Sequence, residues 1–162
     1  MYGLPKKDGR FRYEQPKGYG SPEWVIYQLY DLAPLGAGAD NLLKATPELV
    51  KKLCLMKSPS GPVDTRQAEV AERRMGEAID ALDDINWDKP LTAALRYIFA
   101  LSDESEVNKA NLRIRVERAS LAYGVQYRYF RSRYYDEAIV QLSWIIYYKL
   151  TRSDDFSYSY AG

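Results

Sequence analysis

Between Asn111 and Tyr135 the chain reads NLRIRVERASLAYGVQYRYFRSRYY, two stretches of helical spacing separated by a single glycine. The pattern confines this segment to two helices meeting at a sharp turn. A tight break between helices commonly needs positive φ, which costs a residue with a Cβ about 1 kcal/mol or more. In the first helix Ile114, Val116, Ala119 and Tyr123 are expected to face inward. Gly124 supplies the turn, and a second short helix begins near Gln126 with Phe130 as its inward residue. Gln126, Tyr127, Arg128, Arg131 and Ser132 then fall on the outward side, where a recognition helix meets a major groove.

The remainder of the chain is read as helices punctuated by proline and glycine. Ser21, Pro22 and Glu23 are cap, first-turn and dipole signals for a helix from Pro22 to about Leu32, with Trp24, Val25, Leu29 and Leu32 inward. Pro34, Gly36 and Gly38 end it. Asp40 caps a short turn, and Thr46-Pro47-Glu48 restarts a helix to Met56 through Leu49, Val50 and Leu53. The run KSPSGP, Lys57 to Pro62, is a connector inside one domain. A long amphipathic helix follows from Val63 to Ile85, capped by Asp64, with Ala68, Ala71, Met75, Ala78, Ile79 and Leu82 on one stripe. Pro90 to about Ser102 is the next helix, with Asp88 as its cap and Leu91, Ala94, Leu95, Ile98 and Leu101 inward. The last, Tyr135 to Thr151, buries Ala138, Ile139, Leu142, Ile145, Ile146 and Leu150. The expected fold is therefore all-α, a compact multi-helix bundle containing a helix-turn-helix at about 111–135. Residues 21–152 form a single helical domain, large enough for one core at 162 residues and 46% apolar content.

Both ends depart from that pattern. Residues 1–20 carry Gly3, Gly9, Gly18 and Gly20 with Pro5 and Pro16, which argues for an extended, irregular arm. The arm is basic and aromatic: Lys6, Lys7, Arg10, Arg12 and Lys17 stand against Asp8 and Glu14, with Tyr2, Phe11, Tyr13 and Tyr19 interleaved. Such an arm suits a minor groove through Arg10 and Arg12, or a protein partner through its aromatics. Residues 153–162 are a polar tail.

Charge is distributed unevenly in a nearly neutral chain. From Lys109 to Arg133 there are seven basic residues, Lys109, Arg113, Arg115, Arg118, Arg128, Arg131 and Arg133, against one acid, Glu117. Between Asp64 and Asp88 the balance is opposite, with eight acids against Arg66, Arg73 and Arg74. Arginine suits phosphate and guanine recognition, since its planar fork donates two parallel hydrogen bonds. The segment therefore points to double-stranded DNA as partner, with Arg113, Arg115, Gln126, Tyr127, Arg128, Arg131, Ser132, Arg10 and Arg12 as contact residues. Two other readings stay open at this stage. One is a structural or adaptor protein of a larger assembly, binding neighbours through the arm and aromatic surfaces. The other is RNA or single-strand binding, in which Tyr127, Tyr129, Tyr134 and Tyr135 stack bases between arginines. Trp144, Tyr147 and Tyr148 on the last helix suggest a homodimer through that helix.

The run from Leu91 to Leu150, beginning LTAALRYIFALSDES and continuing RVERASLAYGVQYRYFRSRYYDEAIVQL, resembles the C-terminal part of small uncharacterised helix-turn-helix proteins of actinobacteria. In those, an Arg-rich helix precedes a Leu-Gly-Val-Ser turn, a Thr-Phe-Arg-Arg helix and a closing amphipathic helix. Here the corresponding residues are Tyr123, Gly124, Val125 and Gln126, then Tyr129, Phe130, Arg131 and Ser132. Gln126 stands where that pattern has the stronger N-cap serine. Arg133 occupies a usually apolar position that Tyr134 is placed to take over. The resemblance covers a little over a third of the chain and implies DNA binding and transcriptional regulation.

Several chemistries find no support. The chain has no histidine, which removes the commonest general base and metal ligand. The single Cys54 sits among Leu53, Leu55 and Met56 as a small core hydrophobe with no base beside it. Asp83, Asp84 and Asp88 lack the spacing of a calcium loop. Hence no enzyme, no cofactor and no metal are expected. No apolar run is long enough for a membrane span and no leader follows Met1, so the expected setting is the cytoplasm.

Overall fold

The computed structural model describes residues 22–54, 62–84 and 90–150, and among these every regular element is helical. The expectations for the arm with Arg10 and Arg12, for Ser21 as a cap, for most of the KSPSGP connector, for Asp88 and for the tail lie outside the described residues. Helix α1 spans Pro22–Leu32, α2 Ala39–Ala45 and α3 Pro47–Leu53. Helix α4 spans Thr65–Asp80 and tightens into a 3-10 turn, Ala81–Asp84. Then come α5 Leu91–Ile98, α6 Ser105–Asn108, α7 Leu112–Tyr123, α8 Tyr127–Arg133 and α9 Tyr135–Trp144, which runs on as a π-helical turn, Ile145–Leu150.

Local chemistry sets most of these boundaries. Asp64 accepts from the Gln67 amide at 2.8 Å while Gln67 Oε1 accepts from the Asp64 amide at 2.9 Å, a complete capping box that starts α4. The stripe Ala68, Ala71, Met75, Ala78, Ile79 and Leu82 is fully buried, as its spacing requires. Helix α2 begins on Ala39 and not at an Asp40 cap. Its first amide is taken by Glu72 Oε1 at 2.8 Å, so a carboxylate from α4 supplies the cap across the fold. Helix α5 stops at Ile98, four residues short of the expected end. Ala100 there adopts φ 60°, directly against Gly36 at φ 95°. The Ala37 amide donates to Phe99 O at 2.7 Å, clipping the end of α1 to the end of α5.

One continuous core joins the elements. Helix α5 packs along α7, α1 along α9, and α2 and α3 against α4. The Tyr30 hydroxyl donates to Asp136 Oδ1 at 2.6 Å, linking α1 to α9. Lys52, nearly buried, holds its ammonium 4.9 Å from the Tyr147 ring centroid, and burial lowers its pKa. Cys54 is buried, its thiol donating to Gln67 O at 3.3 Å. Burial pushes that thiol up to about 11.

Val116 and Ala119 of α7 are buried as expected, but the inward residue one turn before Ala119 is Arg115 and not Ile114. Ile114 is 47% exposed, while its neighbour Arg115 is 1% exposed at the centre of the fold. Arg115 Nε donates to Ala110 O at 3.0 Å, one terminal nitrogen donates to Ala33 O at 3.1 Å and to Ile98 O, and the other donates to Pro34 O at 2.8 Å. The carbonyls left over at the end of α1 and the end of α5 thus converge on one guanidinium. Five fixed donors make arginine able to serve such an arrangement where an aliphatic side chain cannot. That clamp, and not a phosphate contact, explains why an arginine stands at this position.

Candidate nucleic-acid interface

Helix α7 starts on Asn111, whose side chain accepts from the Ile114 amide at 3.0 Å. It ends on Gly124, at φ 73° and ψ 26°. The Gly124 amide donates to Leu121 O at 3.0 Å and the Val125 amide to Ser120 O at 3.1 Å. This is the paired hydrogen-bond pattern of the Schellman stop, which requires the left-handed residue that glycine supplies. Nothing lies within 4 Å of a Cβ built on Gly124, so conformation and not space selects it.

Gln126 then stands at the N-cap of α8 without a side-chain cap bond. Phe130 is fully buried and meets Tyr123 edge-on, ring centroids 5.1 Å apart. Tyr134 packs on Tyr123 at 4.9 Å and fills the position that Arg133 vacates by facing solvent. These rings hold α8 against α7 and fix which side of it points outward.

The cations of the segment divide into three groups. Arg115 is in the core and is excluded from any surface contact. Arg118 and Lys109 are engaged outside α8: Arg118 donates to Glu104, which also accepts from the Tyr97 hydroxyl, and Lys109 lies 3.9 Å from Glu106. The hydrogen bond from Arg118, then that from Tyr97, holds the Glu104 carboxyl below its ordinary pKa. The third group lies on α8 and on the neighbouring turn of α7. Arg113 rests its guanidinium 4.4 Å from the Tyr127 ring centroid and 3.6 Å from Glu117. Arg131 lies 4.2 Å from the Tyr135 ring, and Arg133 lies 5.7 Å from the Tyr129 ring. Arg128 is exposed, with no ion pair among the described residues.

Of the residues expected at an interface, Arg113, Gln126, Arg128 and Ser132 are exposed, Tyr127 and Arg131 are half-buried, and Arg115 is in the core. Tyr127 is only partly exposed and packs against the core. Two residues belong there that the outward pattern passed over, Arg133 and Tyr129, the latter 45% exposed. Their spacing of four residues is the signal that pairs them on one face of α8. No acid lies within α8 itself. Beside it, burial first of all raises the Asp136 pKa, against the lowering effects of the Tyr30 hydrogen bond and of Arg131. Burial also pushes the Tyr135 phenol up to about 12.

No helix among the described residues is long and apolar enough to cross a membrane, and no cluster of acids and thiols among them is arranged to hold a metal ion. Compared with known protein families, curated proteins and solved structures, the chain matches none.

Proposed function

We propose that the protein binds double-stranded DNA through α8, as a transcriptional regulator whose helix-turn-helix is formed by α7, Gly124 and α8. The observation that carries this reading is the set of four guanidinia, Arg113, Arg128, Arg131 and Arg133, on and beside a short helix that contains no acid. Three of the four rest on tyrosine rings, which limits their freedom before any phosphate arrives. Arg128, Gln126 and Ser132 supply side chains able to address base edges, and the flanking arginines suit phosphates.

The test is fluorescence anisotropy with random-sequence duplex over a salt series. Each phosphate neutralised contributes a slope of about −0.9 in log K against log salt, so four guanidinia predict roughly −3 to −4. Arg128→Glu with Arg131→Glu should abolish binding near physiological salt at unchanged helicity. Absence of wild-type binding under those conditions would end the proposal.

A second reading, an adaptor or homodimer through α9, is favoured by Trp144 and Tyr148. Each is 37% exposed, and their rings stack 4.4 Å apart at 10°. Sedimentation showing a monomer at micromolar concentration would remove the dimer.

A further inference from the structure

Four tyrosines lie in or directly after α8, and the fold treats them differently. Tyr135 is buried, Tyr134 packs between Tyr123 and Phe130, and Tyr127 is half-buried against the core. A platform of several rings, each receiving one base of an extended single strand, is therefore not available. Tyr129 alone is a large exposed ring on the outward side of α8. It is nonetheless held in place: Tyr134 meets it edge-on at 5.7 Å and 71°, and the Arg133 guanidinium lies 5.7 Å from its centroid. Arg128 precedes it, and the Ser132 hydroxyl donates to its carbonyl at 3.3 Å.

A fixed aromatic ring beside a guanidinium offers two things to a nucleic acid at once, a π-face for a base and positive charge for the adjoining phosphate. A base inside an intact duplex has its faces covered by its neighbours. A base that is unpaired at a bulge, at a strand end or after being turned out of the stack has a free face. We infer that α8 selects sites carrying one unpaired base, which stacks on Tyr129 while Arg133 holds the adjoining phosphate. This inference rests on the nucleic-acid reading above and narrows it to a class of site.

The experiment compares a matched duplex with the same duplex carrying a single-nucleotide bulge, in DNA and in RNA versions, the bulged base being 2-aminopurine. The wild type should bind the bulged duplex about fivefold or more tightly than the matched one, with quenching of the 2-aminopurine emission. Tyr129→Ala should remove the preference and the quenching, while Tyr129→Phe keeps both. Tyr129→Leu retains apolar contact with Tyr134 and should behave as the alanine variant, which separates loss of stacking from loss of fold. Equal affinity for the two duplexes, or a preference that survives Tyr129→Leu, would overturn the stacking role. If binding to both duplexes is then still lost in the Arg128→Glu, Arg131→Glu protein, the wider reading stands without it. Failure of the wild type to bind any of the probes overturns both. The DNA and RNA versions distinguish which nucleic acid supplies the base.

Discussion

Replacing Arg115 with methionine should be among the most damaging single changes in this protein, although the side chain touches no ligand. The guanidinium makes four hydrogen bonds to backbone carbonyls, those of Ala33, Pro34, Ile98 and Ala110, and is 1% exposed. Hydrogen bonds to a charged donor contribute about 1.5–3 kcal/mol each. The cost of removing the guanidinium from water offsets a large part of that total. Removing one side of such a buried polar arrangement costs about 3–5 kcal/mol, because the carbonyls stay buried after their donor is gone. Set against a total stability of about 5–15 kcal/mol, that is a large fraction. At about 2–4 °C per kcal/mol for a chain of this size, the melting temperature should fall by roughly 6–20 °C. Urea unfolding followed by circular dichroism at several temperatures measures the loss directly. Arg115→Lys should recover only part of it, since one ammonium cannot reach carbonyls spread around a planar fork. Arg113→Met, at an exposed position on the same helix, should lie within about 1 kcal/mol of wild type. An Arg115→Met protein that also lies within about 1 kcal/mol, with an unchanged denaturant slope, would refute the clamp.

Other consequences follow from single sites. Gly124→Ala should cost about 1 kcal/mol, the conformational penalty alone, because a Cβ there meets nothing within 4 Å. Gly36→Ala should cost clearly more in the same melts, since its Cβ would lie 2.8 Å from that of Ala100 as well as at φ 95°. Cys54 should resist thiol reagents at neutral pH until the protein unfolds, its thiol being buried with a pKa raised to about 11; rapid labelling of the native protein would contradict this. Asp136 has a folded pKa above its ordinary 3.8, so the folded state holds the proton more tightly than the unfolded state. Its contribution to stability therefore declines as pH rises from about the unfolded value through the raised folded value, and is level above it. In Asp136→Asn that decline should disappear, and the difference in urea midpoint between the two proteins should shift toward the variant as pH rises across this window.

Much of the helical architecture is legible in the sequence, and the reasons are local. The stripe on α4 from Ala68 to Leu82, the stop at Gly124, the inward Phe130 and the restart at Pro47 each depend on residues within a few positions of one another. Periodicity, capping chemistry and positive φ are properties of short segments. The surface of α8 was legible for the same reason. Most of its outward residues follow from a helical wheel once Phe130 is placed inside, and Arg128, Arg131 and Arg133 carry the positive charge of the helix wherever it lies.

What the sequence left undecided depends on groups distant along the chain. An arginine between Ile114 and Val116 reads as solvent-facing because a buried guanidinium is costly. That cost is offset only when α1 and α5 end beside α7 and direct their last carbonyls to one point, an arrangement more than 80 residues apart in sequence for Ala33 and Arg115. The early end of α5 at Ala100, the cap on Ala39 from Glu72 and the pairing of Tyr30 with Asp136 are of the same kind. The sequence by itself determined the helices of the described residues, with a glycine-stopped basic pair among them. Only the tertiary structure decided which arginine holds the core and which face outward, because burial is a property of the neighbours that folding brings together.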